Sequence, residues 1–298
     1  MRATAEKVTL DRHGACAGSG KTRDMERIQA AIQKAKEQRG EAPPGAGVGV
    51  GGGMTRGTPA RPAPVGPLWA ELAPFQPEPG VLRRHHVVTV DDVDPAASHF
   101  DILRTKILRT MRRNNWVSLG ITSPTAGCGK TTMTVNIAFS LAQQSEVRTV
   151  LMDLDLRRPA IARMIGLKTP GSIAQLLQGQ RTPQESFVRY GDNLAIGTNA
   201  QSVANSAELL MQATTAESVA AVKRAFLPTV ILYDLPPMLQ TDDAMAFLPH
   251  LDCVLLVAGA EKSRLDEVDK CEKDIAEQTN VLGVALNMCR YTSEEFGY

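Results

Sequence analysis

What this sequence lacks narrows it first. It carries no surplus of charge: 33 basic against 32 acidic side chains leave a formal +1 over 298 residues. The overall balance therefore gives a nucleic acid or an anionic membrane surface nothing to grip, and no nucleic-acid partner is expected. It has no CxxC pair. Its five cysteines, Cys16, Cys128, Cys253, Cys271 and Cys289, are scattered, which argues against a zinc site and a disulfide framework and fits a reducing, cytoplasmic setting. Long apolar runs are missing too. The longest, around Cys253 to Ala260, is far short of the ~20 residues a bilayer crossing needs. No N-terminal signal pattern is visible, so a chain that does not span a membrane is expected. Tyrosine is scarce, with four in all.

What is present suffices for a core, since 43% of the residues are hydrophobic, but they are unevenly spread. Residues 41–80 are rich in Pro, Gly and Ala (GAGVGVGGG, then TPARPAPVGP). Such a composition buries too little apolar surface to offset its ordering entropy and reads as a disordered linker. Ahead of it, residues 1–40 hold a short basic segment with Met25, Ile28 and Ile32 at helical spacing, marginal as a helix on its own. Met25 is a candidate alternative start. AGSGKT at 17–22 has the look of a phosphate loop, but with no convincing strand before it and no apolar helix after it, it is set aside.

From about residue 100 the texture changes. VSLGIT (117–122), TVLMDL (149–154), LAIGT (194–198), TVILYDL (229–235), CVLLVAG (253–259) and VLGVALN (281–287) are short and almost continuously apolar, as strands covered on both faces should be. Helical patterns at 131–143, with Met133, Ile137 and Leu141 on one stripe, and at 264–278 lie between them. Strand alternating with helix predicts an α/β fold, a doubly wound and mostly parallel sheet over residues 81–290, with a tail at 291–298.

One stretch carries the chemistry. Residues 117–139 read strand, glycine-containing loop, helix, with Thr125, Ala126, Gly127, Cys128, Gly129, Lys130, Thr131 and Thr132 at the turn. Glycines let backbone amides approach phosphates, the helix N-terminus adds partial positive charge, the lysine reaches the outer phosphates, and the hydroxyl after it ligates magnesium. ATP and Mg2+ are the expected ligands. Pro124 occupies the first glycine position of the general pattern. Carboxylates must hold the metal and take the nucleophile's proton. Asp153 and Asp155, two apart at a strand end, are expected to share a face toward the crevice where ligands bind in such sheets, and Asp234 ends another strand. Arg157 has two readings, phosphate contact or surface ion pair.

Those pieces resemble, in order, the cytoplasmic bacterial tyrosine kinases of capsule and exopolysaccharide synthesis, a P-loop family related to the chromosome- and septum-positioning ATPases. LRTKIL (103–108), ITSPTAGCGKTT (121–132), VLMDLDLRRP (150–159), ANSAELL (204–210), ILYDLPP (231–237) and VLGVALN (281–287) carry the likeness. It implies an ATP-dependent, autophosphorylating protein-tyrosine kinase with the P-loop NTPase fold. Lys130 and Thr131 would hold phosphates and magnesium, Asp155 and Asp234 the metal, Asp153 would be the base, and Asn287 would recognise adenine. The positioning ATPases carry an extra lysine where this chain has Thr125, which favours the kinase branch. The kinases' Glu-x-x-Arg-x-x-Arg assembly motif is here Ser98, Asp101 and Arg104, so ring assembly by that route is not expected, and self-association stays open. Phosphorylated tail tyrosines imply Tyr291 and Tyr298 as acceptors, Tyr190 and Tyr233 falling before a turn and in a strand. Relatives without a membrane domain work with a chain-length-determinant (polysaccharide co-polymerase) membrane protein, so such a partner and a peripheral place at the inner membrane are implied. The alternative is an ATP-binding regulatory switch without kinase output that docks on the same partner.

Overall fold

The computed structural model describes residues 8–11, 67–89 and 96–289. Among the described residues nine strands form one sheet: β1 Val8–Asp11, β2 Ala73–Pro74, β3 Ser118–Thr122, β4 Thr149–Asp153, β5 Phe187–Tyr190, β6 Leu194–Gly197, β7 Val230–Asp234, β8 Cys253–Gly259 and β9 Asn280–Cys289, in the order β1-β9-β8-β3-β7-β4-β6-β5-β2. Every pairing is parallel except β5 with β6. The helices are α1 Pro67–Glu71, α2 Pro79–Arg84, α3 Ala97–Asn114, α4 Lys130–Ala142, α5 Ile161–Ile165, α6 Ile173–Leu177, α7 Pro183–Ser186, α8 Ser206–Met211, α9 Ala213–Phe226, α10 Asp243–Phe247 and α11 Leu265–Ala276. Among the described residues no helix is long and apolar enough to cross a membrane.

The central strands are apolar without interruption because each feeds two cores. Val150 and Met152 of β4, Ile231 and Tyr233 of β7, and Val254, Leu256 and Ala258 of β8 enter one buried cluster, with α9 and α11. Leu151, Val230, Leu232, Cys253, Leu255 and Val257, the residues between them, enter the other, with α3 and α4. Side chains of a strand alternate faces, so a strand with a core on both sides has no polar set to show. α3 supplies Phe100, Leu103, Ile107, Leu108 and Met111, a stripe at helical spacing. β3 lies between β7 and β8, and the loop leaving its C-terminal end opens where ligands bind in doubly wound sheets.

The expected linker ends too late. Residues 67–80, assigned to it by composition, belong to the folded unit. Trp69 is fully buried, donates its indole N–H to Phe226 O at 2.9 Å and meets the Phe226 ring edge-on. Leu72 is buried beside it, and β2 adds to the sheet edge at β5. Proline-rich composition averages over a window and hides anchors: a buried tryptophan stabilises by a few kcal/mol, enough to hold its neighbours in place. The rest of the linker, residues 41–66, lies outside the described residues, as do AGSGKT and the segment around Met25. β1, a strand ahead of AGSGKT that the sequence does not advertise, pairs with β9.

Candidate functional site

The β3–α4 loop is shaped by two glycines. Gly127 and Gly129 have φ of 80° and 81°, a region where a Cβ is strained, and at Gly129 a Cβ would also collide with the Asn287 amide. Gly129 caps α4 in that conformation, so Lys130 and Thr131 open the helix. The Asn287 amide donates to Cys128 O at 2.9 Å, and Lys262 Nζ donates to Gly127 O at 3.0 Å. Asn287, expected at the adenine, is thus against the loop. Lys262 was not expected at all, because an exposed lysine in a distant turn carries no motif.

In front of the loop lies a cluster of charge. Lys130 Nζ is 2.8 Å from Asp155 Oδ2 and 3.4 Å from Asp234 Oδ2, and 3.1 Å from the Thr131 hydroxyl. Thr131 Oγ1 donates to Asp234 Oδ2 at 2.7 Å. Thr134, one turn on, shares its hydroxyl between Lys130 O at 2.9 Å and Asp234 Oδ1 at 3.2 Å. The residues expected to hold phosphate and metal therefore form one contact network. Lys130 is only 8% exposed; it lines the cleft and is also the counter-charge of two buried carboxylates. Burial works against its ammonium, but Asp234 and Asp155 outweigh that and its pKa stands above the ordinary lysine value. Burial likewise raises the Asp234 carboxyl, with Lys130 and the Thr131 hydroxyl pulling the other way.

Asp153 and Asp155 part company. Asp155 lines the cleft with the loop, Arg157, Arg158, Pro236, Pro237, Gln240 and Thr241. Asp153 is fully buried behind it. Its Oδ2 accepts from the N–H groups of Ala160 and Ile161, each at 3.1 Å, where α5 begins. Its Oδ1 has no hydrogen-bond partner among the described residues. Burial, then the Asp234 charge, push its pKa up to about 8. β4 ends at Asp153 and Asp155 stands two residues beyond it; Asp155 is a wall of the cleft and Asp153 is not.

The cleft measures about 530 Å³, with Ala126, Gly127, Gly129, Lys130, Thr131 and Thr132 along one side. Thr125 borders the loop half-buried, and Cys128 is buried with its thiol 3.2 Å from Thr125 O. Arg157 makes an ion pair, its Nε and Nη2 reaching the buried Asp243 carboxylate at 2.8 and 3.2 Å, while it also lines the cleft. Arg104 is also committed inside the fold. Its Nη1 donates to Ser140 O, Ser140 Oγ and Gln143 Oε1 and pairs with Asp101 at 3.0 Å, fastening α3 to α4. Tyr233 is fully buried, and Tyr190 packs edge-on against Phe139. Tyr291 and Tyr298 lie outside the described residues.

With that geometry in place the comparisons are specific. The family model described as ParA: NUBPL iron-transfer P-loop NTPase matches residues 117–297. The tyrosine-protein kinase YwqD of Bacillus subtilis is 26% identical over 220 residues, 73% of this chain and 92% of its own length. The tyrosine-protein kinase ptk of Acinetobacter johnsonii is 27% identical over 186 residues, 58% of this chain but 25% of its own, so the chain spans about a quarter of that longer relative. Among solved structures, the kinase domain of the Escherichia coli tyrosine kinase ETK superposes with a TM-score of 0.63 at 25% identity, covering 71% of this chain and 84% of that one. The chimerical protein CapA2B2 gives the same TM-score and identity over 74% and 94%. The loop between β3 and α4 and the carboxylates at the ends of β4 and β7 lie inside the matched span, and by that match over more than half its length this chain belongs to the ParA family of P-loop NTPases.

Proposed function

We propose that this chain is a Mg-ATP-dependent protein-tyrosine kinase, autophosphorylating, that regulates polymerisation and export of an extracellular polysaccharide or capsule. The single observation that carries the reading is the joined set Lys130, Thr131, Asp155 and Asp234 at the phosphate loop, in a chain whose relatives are named tyrosine-protein kinases. The donor set fits magnesium: a hydroxyl and two carboxylates are hard oxygen ligands, and in this structure an ammonium stands among them, where positive charge is wanted. Thr131, Asp155 and Asp234 would hold the ion, which supplies charge neutralisation for the phosphates. Lys130 and the amides of residues 125–132 would bind those phosphates. A tyrosine oxygen then bonds to the γ-phosphorus as the bond to ADP breaks, and the hydroxyl proton passes to a carboxylate. Asp153 is the proposed base. Its pKa of about 8 brings it nearer the ~10 of a tyrosine hydroxyl than an ordinary carboxylate comes, which favours proton acceptance. Reaching substrate requires its bonds to the Ala160 and Ile161 N–H groups to open.

The iron-transfer activity in the family model's description finds less support. Among the described residues Cys128, Cys253, Cys271 and Cys289 are buried, whereas a thiolate that hands over metal must be reachable. The proposed partner is a chain-length-determinant membrane protein, with Tyr291 and Tyr298 as acceptors, and the proposed location is cytoplasmic, at the inner membrane through that partner. Incubation with Mg-ATP and the partner's cytosolic segment, followed by mass spectrometry, tests this, with phosphotyrosine at Tyr291 or Tyr298 expected. A second reading, a nucleotide switch without kinase output, is favoured by Arg104 being spent on internal bonds. Bound nucleotide with no phosphotyrosine sinks the kinase reading and leaves the switch.

A further inference from the structure

The back of the phosphate loop is held by groups that no phosphate-loop motif contains. Lys262 Nζ takes Gly127 O, and the Asn287 amide takes Cys128 O. A trans peptide unit is planar, with its C=O and N–H pointing in opposite directions. Drawing Gly127 O back toward Lys262 therefore turns the N–H of Cys128 forward, and Asn287 does the same for the N–H of Gly129. Forward-turned backbone N–H groups of this kind are what a phosphate loop offers an anion.

Lys262 is an exposed residue, and an exposed ammonium is well hydrated and gives up rotamer entropy when it is held in place. Its turn holds it there. The N–H groups of Lys262 and Ser263 both donate to Gly259 O, at 3.1 and 2.9 Å, and Ser263 Oγ accepts from Gly259 N at 3.0 Å and lies 3.4 Å from Cys128 Sγ. The charges elsewhere at the loop are already matched. Lys130 is shared by Asp155 and Asp234, and Arg157 is held by Asp243. Among the described residues no carboxylate pairs with Lys262, whose ammonium donates to a neutral carbonyl.

We propose that Lys262 is a positioning residue for the nucleotide phosphates, fixing the Gly127–Cys128 peptide with its N–H toward the ligand and placing an unmatched positive charge behind the loop. This rests on the nucleotide-binding reading above. Lys262→Ala and Lys262→Arg in the full chain test it, by titration with fluorescent N-methylanthraniloyl-ADP and by the ATP dependence of turnover. Loss of one charge-assisted hydrogen bond predicts that Lys262→Ala weakens nucleotide binding roughly tenfold. KM for ATP should rise by more than kcat falls, the nucleotide-free melting midpoint should stay put, and Lys262→Arg should recover most of the affinity. Unchanged affinity in Lys262→Ala overturns the positioning role and leaves the nucleotide site standing. A loss that tracks a lowered nucleotide-free midpoint and is not recovered by arginine marks a merely structural lysine and overturns it as well. Failure of the unaltered chain to bind nucleotide overturns both readings.

Discussion

The two flanks of the phosphate loop are made of different interactions. Toward β4 and β7 the loop meets buried charge, with one ammonium serving two carboxylates and a third carboxyl packed behind them. Toward β8 and β9 it meets a side-chain amide and an exposed lysine, both bonded to backbone carbonyls. Buried ions involve large opposing energies, so removing one partner exposes the cost of the other, whereas a single hydrogen bond to a carbonyl is worth about 1 kcal/mol net. The first flank makes stability depend on protonation. The second sets the shape of the loop.

The largest effect should come from stripping the charged flank of its cation. Lys130→Met is expected to abolish phosphotyrosine formation, by roughly 100-fold or more, and to lower stability by about 3 kcal/mol through the carboxylates it leaves unpaired. Urea melts should show a smaller loss at pH 5 than at pH 7.5, because Asp153 and Asp234, whose pKa values are raised, can take up protons. Equal stability at both pH values in the variant and the unaltered chain would mean that this flank does not depend on Lys130.

Asp153 sharpens the same side. Burial pushes its pKa up to about 8 from the ordinary aspartate value of 3.8, so the folded chain keeps a proton that the unfolded chain releases between those limits. Its contribution is fully present below about pH 4 and is lost as pH rises through about 8. Asp153→Asn should flatten that slope, gaining about 4 kcal/mol relative to the unaltered chain between pH 4.5 and pH 8.5. It should keep ATP binding while slowing transfer. Lost binding would reassign Asp153 to the metal.

The smallest change belongs to the other flank. Asn287→Ala removes one hydrogen bond from the loop, and nucleotide affinity should fall about fivefold, the equivalent of about 1 kcal/mol. Comparing ATP with GTP then separates two roles. An equal loss for both places the amide's work in the loop, and a loss for ATP alone places it at the base.

The central sheet was readable because burial on both faces erases alternation: CVLLVAG is β8 to the residue, and the other five expected strands lie within one or two residues of their observed ends. β5 was missed for the converse reason. Phe187–Tyr190 runs antiparallel beside β6, buries one residue fully and carries Arg189, so it offers no apolar run. Trp69 and Leu72 were hidden by the prolines around them. At the site, Lys130, Thr131, Asp155 and Asp234 were legible because their roles tie them to strand and helix ends. The burial of Asp153 depends on where the chain turns seven residues later, at Ala160 and Ile161, and Lys262 meets Gly127 across 135 residues of chain. Neither separation leaves a local pattern.

Helix α4 has a further consequence, a mechanical one. It begins at Lys130, but midway along it the Asn136 side chain binds the backbone of His86, Val88 and Thr89, and near its far end Ser140 and Gln143 take Arg104. A rod bolted at its middle and its end can yield only at its tip. Through those bonds the helix that opens the phosphate loop is tied to α3 and to residues 86–89, so a change in either reaches the loop through α4.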